Sequence, residues 1–161
     1  MIGFFGTLFA RSVPALSEAG PRDAPAIAVL HAASFRRGWS EPEVEQLLLD
    51  RQVIAHRSTI GARLVGFIMS RRAADEAEIL SVAVARSQRG RGVGRDLLAL
   101  HLRRLAGLGA RAVFLEVDET NAPAITLYDR AGFREVGRRP NYYPAADGKP
   151  VAALLLRRDL L

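Results

Sequence analysis

Residues 87–98 read SQRGRGVGRDLL, and the seven positions from Arg89 to Arg95 hold three glycines and three arginines. Glycine allows backbone conformations with positive φ and the close approach of a ligand, and arginine binds phosphate groups well. Three kinds of site fit this composition. They are an arginine–glycine segment that binds nucleic acid, a dinucleotide-binding loop, and a turn that holds another phosphate-bearing cofactor.

The position of this stretch in the chain favours the third kind of site. It follows EAEILSVAV (76–84), which is apolar on both alternating faces and predicts a strand in the centre of a sheet. It runs directly into GRDLLALHLRRLAGLG (94–109), which has the apolar spacing of a helix. The free N–H groups and the dipole at a helix start attract phosphate. We therefore expect residues 90–95 to form a phosphate cradle.

The two rival interpretations each lack something. The arginine–glycine unit occurs once, between two apolar elements and without an adjacent aromatic residue that could stack on a base. A dinucleotide loop counted from Gly90 would need glycine where Arg95 stands, and it would follow its strand more closely than Gly90 follows Val84. About eighty residues also precede the unit, unlike the usual dinucleotide-binding order.

The rest of the chain predicts one three-layer α/β or α+β domain with a mixed, largely antiparallel central sheet flanked by helices. Asp23 is placed to cap a helix that continues to about Phe35, and Ser40 with Glu43 forms a capping-box pattern for a second helix. His31 and His101 fall on apolar helix faces, where a core position is favoured over a catalytic one. The remaining predicted elements are strands at 52–58, 63–71, 111–119, 134–143 and 151–158, and a helix that begins at 122 and ends at Gly132.

Composition narrows the function classes. The 161 residues include no cysteine, which excludes disulfides and thiolate chemistry, and three histidines without metal-ligand spacing. A net charge of +6 favours polyanionic partners without identifying one. The apolar residues 1–16 are too short to span a bilayer and are expected to form an N-terminal arm of unassigned role, followed by a domain at 17–161. We expect a cytoplasmic protein.

Five stretches together resemble the GNAT superfamily of acyl-CoA-dependent N-acyltransferases, whose pyrophosphate loop has the pattern R/Q-x-x-G-x-G/A. The resemblance covers about residues 17–157. Within the superfamily, the chain looks most like the bacterial ribosomal-protein-alanine N-acetyltransferases, which acetylate a protein's N-terminal α-amino group. The stretches are WSEPEVEQLL (39–48), EAEILSVAV (76–84), RGRGVGRDLL (89–98), LEVDETNAPAITLYDRAGF (115–133) and RRPNYYPAADGK (138–149).

The resemblance implies acetyl-CoA as cosubstrate, and the missing cysteines and the histidine spacing argue against a metal. The end of the central strand would offer backbone groups to the pantetheine and the thioester, and the glycine-rich segment would hold the pyrophosphate. The spacing of Asn121 fits a helix cap equally well. The residues implied to bind the cofactor are Val82, Ala83, Val84, Arg89, Gly90, Arg91, Gly92, Val93, Gly94, Arg95 and Asn121.

The resemblance also implies two catalytic residues in a direct transfer within a ternary complex. Glu116 matches the proton acceptor, although its spacing alone fits a solvent-facing charge on an alternating strand. Tyr128 matches the proton donor to the CoA sulfur, although its helical spacing alone fits a buried anchoring aromatic.

The acceptor amine is the least defined part of the prediction. Trp39, Tyr142, Tyr143 and Asp147 are candidates for shaping the acceptor cleft, and aromatic packing or turn formation explains them equally well. The expected acceptor is a protein N-terminus, with ribosomal association as an expected partnership. Lysine or small-molecule amine acetylation is the alternative within the same chemistry, and nucleic-acid binding is the alternative from another class.

Overall fold

A computed structural model of the chain describes residues 12–144 and 147–160. Within these ranges, strands and helices follow the predicted order, with one additional strand near the N-terminus. The strands are β1 (Ala15–Glu18), β2 (Val53–Ile60), β3 (Arg63–Ala73), β4 (Glu76–Val84), β5 (Ala112–Asp118), β6 (Arg134–Pro144) and β7 (Pro150–Asp159). The α-helices are α1 (Ala24–Ser34), α2 (Glu41–Leu49), α3 (Val93–Gly107) and α4 (Ala122–Arg130).

The strands form one sheet in the order β1-β2-β3-β4-β5-β7-β6. Each neighbouring pair is antiparallel except β4 and β5, which run parallel. The α3 helix makes the crossover between these two strands, as a parallel connection requires. The predicted fold class, a mixed and largely antiparallel sheet flanked by helices, is confirmed.

Two hydrophobic clusters lie on opposite faces of the sheet. On one face, Leu97 and Leu105 of α3 pack with Tyr128 of α4 against the sheet. On the other face, Ile27 of α1 and Val44 of α2 pack against β3. The strands β3 and β4 have helices on both sides, so their side chains are apolar almost without interruption. The position of β4 in the middle of the sheet agrees with the central position predicted for residues 76–84.

The helix starts are partly as predicted. Ser40 accepts a hydrogen bond from the Glu43 amide while Glu43 accepts one from the Ser40 amide, so the predicted capping box is present. The prediction that the Asp23 side chain caps α1 is wrong. Its carboxylate instead accepts from the Gly20 amide and pairs with Arg57 of β2. That long-range partner outcompetes the local cap.

The additional strand, β1, falls partly within the expected N-terminal arm. Ala15 pairs with Thr59, and Glu18 pairs with His56 at the edge of the sheet. Since residues 15 and 16 belong to this strand, the expected division of the chain at residue 16 cuts through an element of the sheet. Residues 1–11 of the arm lie outside the described residues. Among the helices described, none is long and apolar enough to cross a membrane.

The feature that positions the site is the separation of the two parallel strands. Their pairing runs from Glu76 with Ala112 to Glu78 with Phe114 and ends there. A bulge between Met69 and Ser70 accompanies the bend in β4, because β3 pairs Ser70 with Ile79 but Met69 with Ser81. The second halves of β4 and β5 therefore diverge and leave backbone edges facing one another.

Candidate functional site

The gap between β4 and β5 opens into a groove of roughly 1350 Å³. Ile79–Val82 and Leu115–Asp118 line it from the two diverging strands. Part of α4, the end of β6 with the start of β7, and the segment Ser34–Arg37 supply the other walls. A groove of this size, bordered by free strand edges, can hold an extended ligand between the strands.

The glycine-rich segment forms the start of α3 beside this groove. Gly90 and Gly92 have φ values of 71° and 84°, in the left-handed region that glycine favours. Gly92 is the N-cap, and no side chain caps the helix there. The first backbone N–H groups of α3 are consequently available to an anion, as the phosphate-cradle prediction requires.

The predicted cradle lies against the elements that form the groove. A side chain added at Gly94 would meet Val84 of β4 at 3.7 Å and Leu127 of α4 at 3.6 Å, so the start of α3 packs against both elements. Val93 is buried in the core, so only its backbone can face a ligand. Arg91 and Arg95 are exposed, and Arg89 donates from Nε to the Val84 carbonyl at 3.0 Å.

The three residues expected at the end of β4 do not all face the gap. The Ala85 amide donates to Val65 of β3, and backbone groups two residues apart on a strand point the same way. The Ala83 backbone is therefore directed toward β3, which corrects its expected role in binding a ligand through free backbone groups. By the same alternation, Val82 and Val84 direct their backbone groups toward β5, and Val82 lines the groove.

Glu116 lines the groove from β5, with 21% of its side chain exposed. Its Oε1 lies 3.2 Å from a terminal nitrogen of Arg139 on β6. The sequence surroundings of Glu116 gave no sign of this cation, which comes from a distant part of the chain. β6 is irregular directly after Arg139, where Pro140 lacks a backbone donor and Asn141 has φ of 55°.

Tyr128 lines the groove from α4 and is 7% exposed. Its ring packs edge-on against Phe133, with centroids 5.6 Å apart. Burial raises the pKa of Tyr128 to about 12, which keeps the phenol protonated at neutral pH. Tyr128 is thus both a buried aromatic residue and a groove residue. Its phenol can donate a proton into the groove.

Asn121 is both a helix cap and a groove residue. Its Oδ1 accepts from the Ala124 amide at 3.2 Å, which makes it the N-cap of α4. The same residue lines the groove. The cap uses the side-chain oxygen and not the side-chain nitrogen, so a donor remains for a ligand.

The expected acceptor residues separate into two groups. Tyr143 and Asp147 line the groove, and burial together with the Glu116 charge raises the pKa of Tyr143. Tyr142 is exposed and packs edge-on against Tyr143, with Arg139 over its ring at 5.4 Å. Trp39 is not among the groove residues. Its indole stacks on His31, so aromatic packing is the role that the structure gives it.

Sequence reasoning missed the groove wall formed by Ser34–Arg37. Arg36 reaches from this segment to the Pro144 carbonyl at the end of β6, at 3.3 Å. No local pattern could have indicated this contact, because the two residues are 108 positions apart.

The three histidines are buried, which was predicted for His31 and His101 only. Both ring nitrogens of His101 are hydrogen-bonded. Its Nδ1 lies 2.7 Å from His56 Nδ1, and its Nε2 lies 2.6 Å from Ser70 Oγ. His31 is 4% exposed beneath Trp39. Across residues 12–144 and 147–160, no three His, Asp or Glu side chains are grouped to hold a metal ion.

Comparisons with known proteins agree with this geometry. The sequence model of the family described as "Acetyltransferase (GNAT) family" matches residues 24–133. The [Ribosomal protein bS18]-alanine N-acetyltransferase of Escherichia coli K12 is 30% identical over 140 residues, which cover 87% of this chain and 94% of that protein.

Two solved structures share the whole fold. The crystal structure of the ribosomal-protein-S18-alanine N-acetyltransferase from Escherichia coli has a TM-score of 0.85 and 28% identity, covering 92% of this chain and 94% of that one. Ard1 from Thermoplasma volcanium has a TM-score of 0.81 and 26% identity, covering 92% and 98%. Together with the matched family model, these similarities establish that the chain belongs to the acetyltransferase (GNAT) family.

Proposed function

We propose that this chain transfers an acetyl group from acetyl-CoA to the N-terminal α-amino group of a protein, with a ribosomal protein as the favoured acceptor. The observation that carries the proposal is the convergence of Glu116 and Tyr128, from different elements, on one groove beside a glycine-rich helix start. The relatives named as ribosomal-protein-alanine N-acetyltransferases support the acceptor class.

The residues present fit acetyl-CoA. The pyrophosphate would bind the amides of residues 90–95, with the exposed Arg91 and Arg95 adding positive charge. The free edge of β4 at Val82, together with the Val84 N–H, would bind the amides of the pantetheine arm as a strand partner would. The side-chain nitrogen of Asn121 is a further donor from the opposite wall. When bound, acetyl-CoA supplies a thioester carbonyl to an amine at the other end of the groove.

Glu116 and Tyr128 would divide the proton transfers. The amine attacks in its neutral form, and Glu116 accepts the proton that the nitrogen loses as the N–C bond forms. The C–S bond breaks, and Tyr128 donates its phenolic proton to the departing sulfur. A backbone N–H at the free edge of β4 stabilises the negative charge on the acetyl oxygen. Proton exchange with solvent then returns Glu116 to its carboxylate and Tyr128 to its phenol, so the net reaction is amine plus thioester to amide plus thiol.

The chemistry of the base favours an α-amino acceptor over a lysine. The α-amine has a reference pKa of about 7.7–8.0, whereas lysine has one of about 10.4. A substantial fraction of α-amines is neutral near pH 7, so a single carboxylate such as Glu116 is a sufficient base. Lysine would need stronger activation or desolvation at the same site. A cytoplasmic setting and contact with ribosomes accord with such an acceptor.

A matched pair of peptides tests the acceptor class. One peptide has a free N-terminal alanine and no lysine, and the other has the same residues with a blocked N-terminus and one lysine. With acetyl-CoA at a saturating concentration, we expect acetylation of the first peptide at a kcat/KM at least about tenfold higher, because less of the lysine amine is neutral. A preference for the lysine peptide would contradict the α-amino assignment.

Titration calorimetry with acetyl-CoA tests the cofactor separately from the acceptor. We expect saturable binding that weakens in Gly92→Ala. A parallel titration with RNA over a series of salt concentrations tests the rival class, because nucleic-acid affinity depends steeply on salt. Absence of acetyl-CoA binding together with salt-dependent RNA binding would replace the enzyme proposal with the nucleic-acid interpretation.

A further inference from the structure

The segment that connects α1 to α2, residues 35–40, borders the groove without regular secondary structure. We call it the α1–α2 loop. Phe35, Arg36 and Arg37 of this loop line the groove, whereas Trp39 lies behind them. The wall therefore depends on the contacts that hold an irregular segment in place. His31, which makes several of these contacts, does not itself line the groove.

His31 of α1 is the central anchor of this loop. Its Nδ1 accepts a hydrogen bond from the Trp39 backbone N–H at 3.0 Å. Its ring stacks on the Trp39 indole with centroids 4.1 Å apart and planes 12° apart, and lies 4.4 Å from the Phe35 ring. One buried side chain thus contacts both the first aromatic residue and the last aromatic residue of the loop.

The accepting role of Nδ1 defines the state of the imidazole. A ring nitrogen that accepts a hydrogen bond carries no proton, so the ring is neutral when the bond to Trp39 is formed. Burial lowers the pKa of His31, which agrees with a neutral ring, while the charge of Glu43 opposes this effect. The anchor is accordingly formed near neutral pH.

A glycine brings the loop close enough for this bond. A Cβ added at Gly38 would lie 2.8 Å from both Cα and Cβ of Ala32 on α1, which is closer than real Cβ contacts allow. The loop therefore lies directly on the helix that carries His31. Any side chain at position 38 would lift it away.

We propose that His31 is a positioning residue for the transfer reaction: through its hydrogen bond to Trp39, it fixes the α1–α2 loop as the wall against which the acceptor binds. This inference rests on the proposed function for the location of the acceptor, at the groove end shared with Glu116. The wall continues across the groove through the Arg36 contact with the Pro144 carbonyl. Acetyl-CoA, held by α3 and β4, does not depend on this wall.

Two substitutions at His31 separate its contacts. His31→Asn places an amide oxygen where Nδ1 lies and keeps an acceptor for the Trp39 N–H, while His31→Phe keeps an aromatic ring and removes the acceptor. We expect His31→Phe to raise the acceptor KM about tenfold, because small displacements of a substrate-positioning wall are costly. His31→Asn should stay within about threefold of wild type, and both should keep the acetyl-CoA KM.

Gly38→Ala reaches the same wall without changing His31. It should also raise the acceptor KM with no change in the acetyl-CoA KM. Gly20→Ala is the matched control near the other end of α1, because a Cβ there meets nothing within 4 Å. This control should leave both KM values as in wild type. If His31→Phe fails to fold, Gly38→Ala and His31→Asn still test the wall.

Trp39 provides a readout that does not require turnover, since it is the single tryptophan of the chain. With CoA bound, addition of the acceptor peptide should change the fluorescence of Trp39. In His31→Phe, the peptide concentration at the midpoint of this change should be about tenfold higher. His31→Phe and Gly38→Ala proteins that bind acceptor as wild type does would overturn the proposal. If wild type acetylates only the lysine peptide, the proposed function fails, and the same titration with that peptide still tests His31.

Discussion

The proposed cofactor end and the proposed acceptor end of the groove are built in different ways. The cofactor end consists of consecutive residues, 89–95, whose backbone groups lie at the start of α3. The acceptor end combines Glu116 of β5, Arg139 of β6 and the α1–α2 loop, which meet only in the folded chain. The first end depends on local backbone conformation, and the second depends on long-range packing. Substitutions should consequently affect the two ends independently.

The largest expected effect lies at the proposed reacting centre, where the acceptor end meets the cofactor end. Glu116→Gln and Tyr128→Phe each remove a proton-transfer group while keeping the side-chain shape. We expect kcat to fall by about 10²–10⁴. Titration calorimetry should give an acetyl-CoA Kd within about threefold of wild type, because neither residue lies in the cradle. A comparable loss of cofactor binding would assign the two residues structural roles instead.

A substitution in the cradle should affect the cofactor end alone. Gly92→Ala forces a side chain onto a residue with φ of 84°, at a cost of about 1–2 kcal/mol, and distorts the helix start. We expect the acetyl-CoA KM to rise about tenfold and the acceptor KM to stay unchanged. Gly107→Ala in the same helix is the control, since a Cβ there meets nothing within 4 Å. Equal changes in both KM values would show that the ends are coupled.

A smaller effect is expected from the ion pair at the acceptor end. Arg139→Gln removes the guanidinium that holds one oxygen of Glu116, so the carboxylate loses a fixed orientation. Because Arg139 is largely exposed, we expect kcat to fall only about threefold, without change in the acetyl-CoA KM. Arg138→Gln is the control, because that neighbour pairs with Glu119 and Glu135 and not with Glu116. Steady-state kinetics measures kcat for both variants. An equal kcat for Arg139→Gln and Arg138→Gln would contradict the role proposed for Arg139.

The smallest effect on turnover is expected from His101, which lies in the core away from both ends. Burial, and then the neighbouring His56, lowers its pKa to about 3 from the usual value of about 6.5. The unfolded chain therefore binds a proton that the folded chain does not. Stability is fully present above about pH 6.5 and is lost as the pH falls below it, by about 1.4 kcal/mol per pH unit.

Urea denaturation at about pH 7 and pH 5 measures this loss. His101→Gln should be less stable than wild type at neutral pH, because Ser70 and His56 lose their partner. It should also lose less stability on acidification. A variant with the same slope as wild type would exclude His101 as a source of the acid sensitivity. Both KM values should remain those of wild type wherever the variant is folded.

Local patterns explain why much of the fold could be predicted from the sequence. The capping box at Ser40, the alternation in β4 and the glycine-rich start of α3 each involve interactions within a few residues. The conformation of the proposed cradle was predictable for the same reason. Glu116 and Tyr128 were proposed as catalytic residues from the family resemblance, because spacing alone favoured a surface charge and a core aromatic.

The parts that escaped prediction depend on contacts between distant residues. β1 has four residues, too few for a clear alternation, and is held by pairing with β2. Asp23 pairs with Arg57 and does not cap α1 as predicted. The Arg139 partner of Glu116 and the wall formed by the α1–α2 loop required the complete fold. The acceptor end was therefore less predictable than the cofactor end, as its construction implies.

One peptide that carries both competing amines tests the central claim most directly. It has a free N-terminal alanine and an internal lysine, and it is incubated with the wild-type protein and acetyl-CoA. Tandem mass spectrometry then locates the added acetyl group. We predict that it lies on the N-terminal nitrogen, with Glu116→Gln giving little product of either kind. Acetylation confined to the lysine would contradict the assignment of this chain as an N-terminal acetyltransferase.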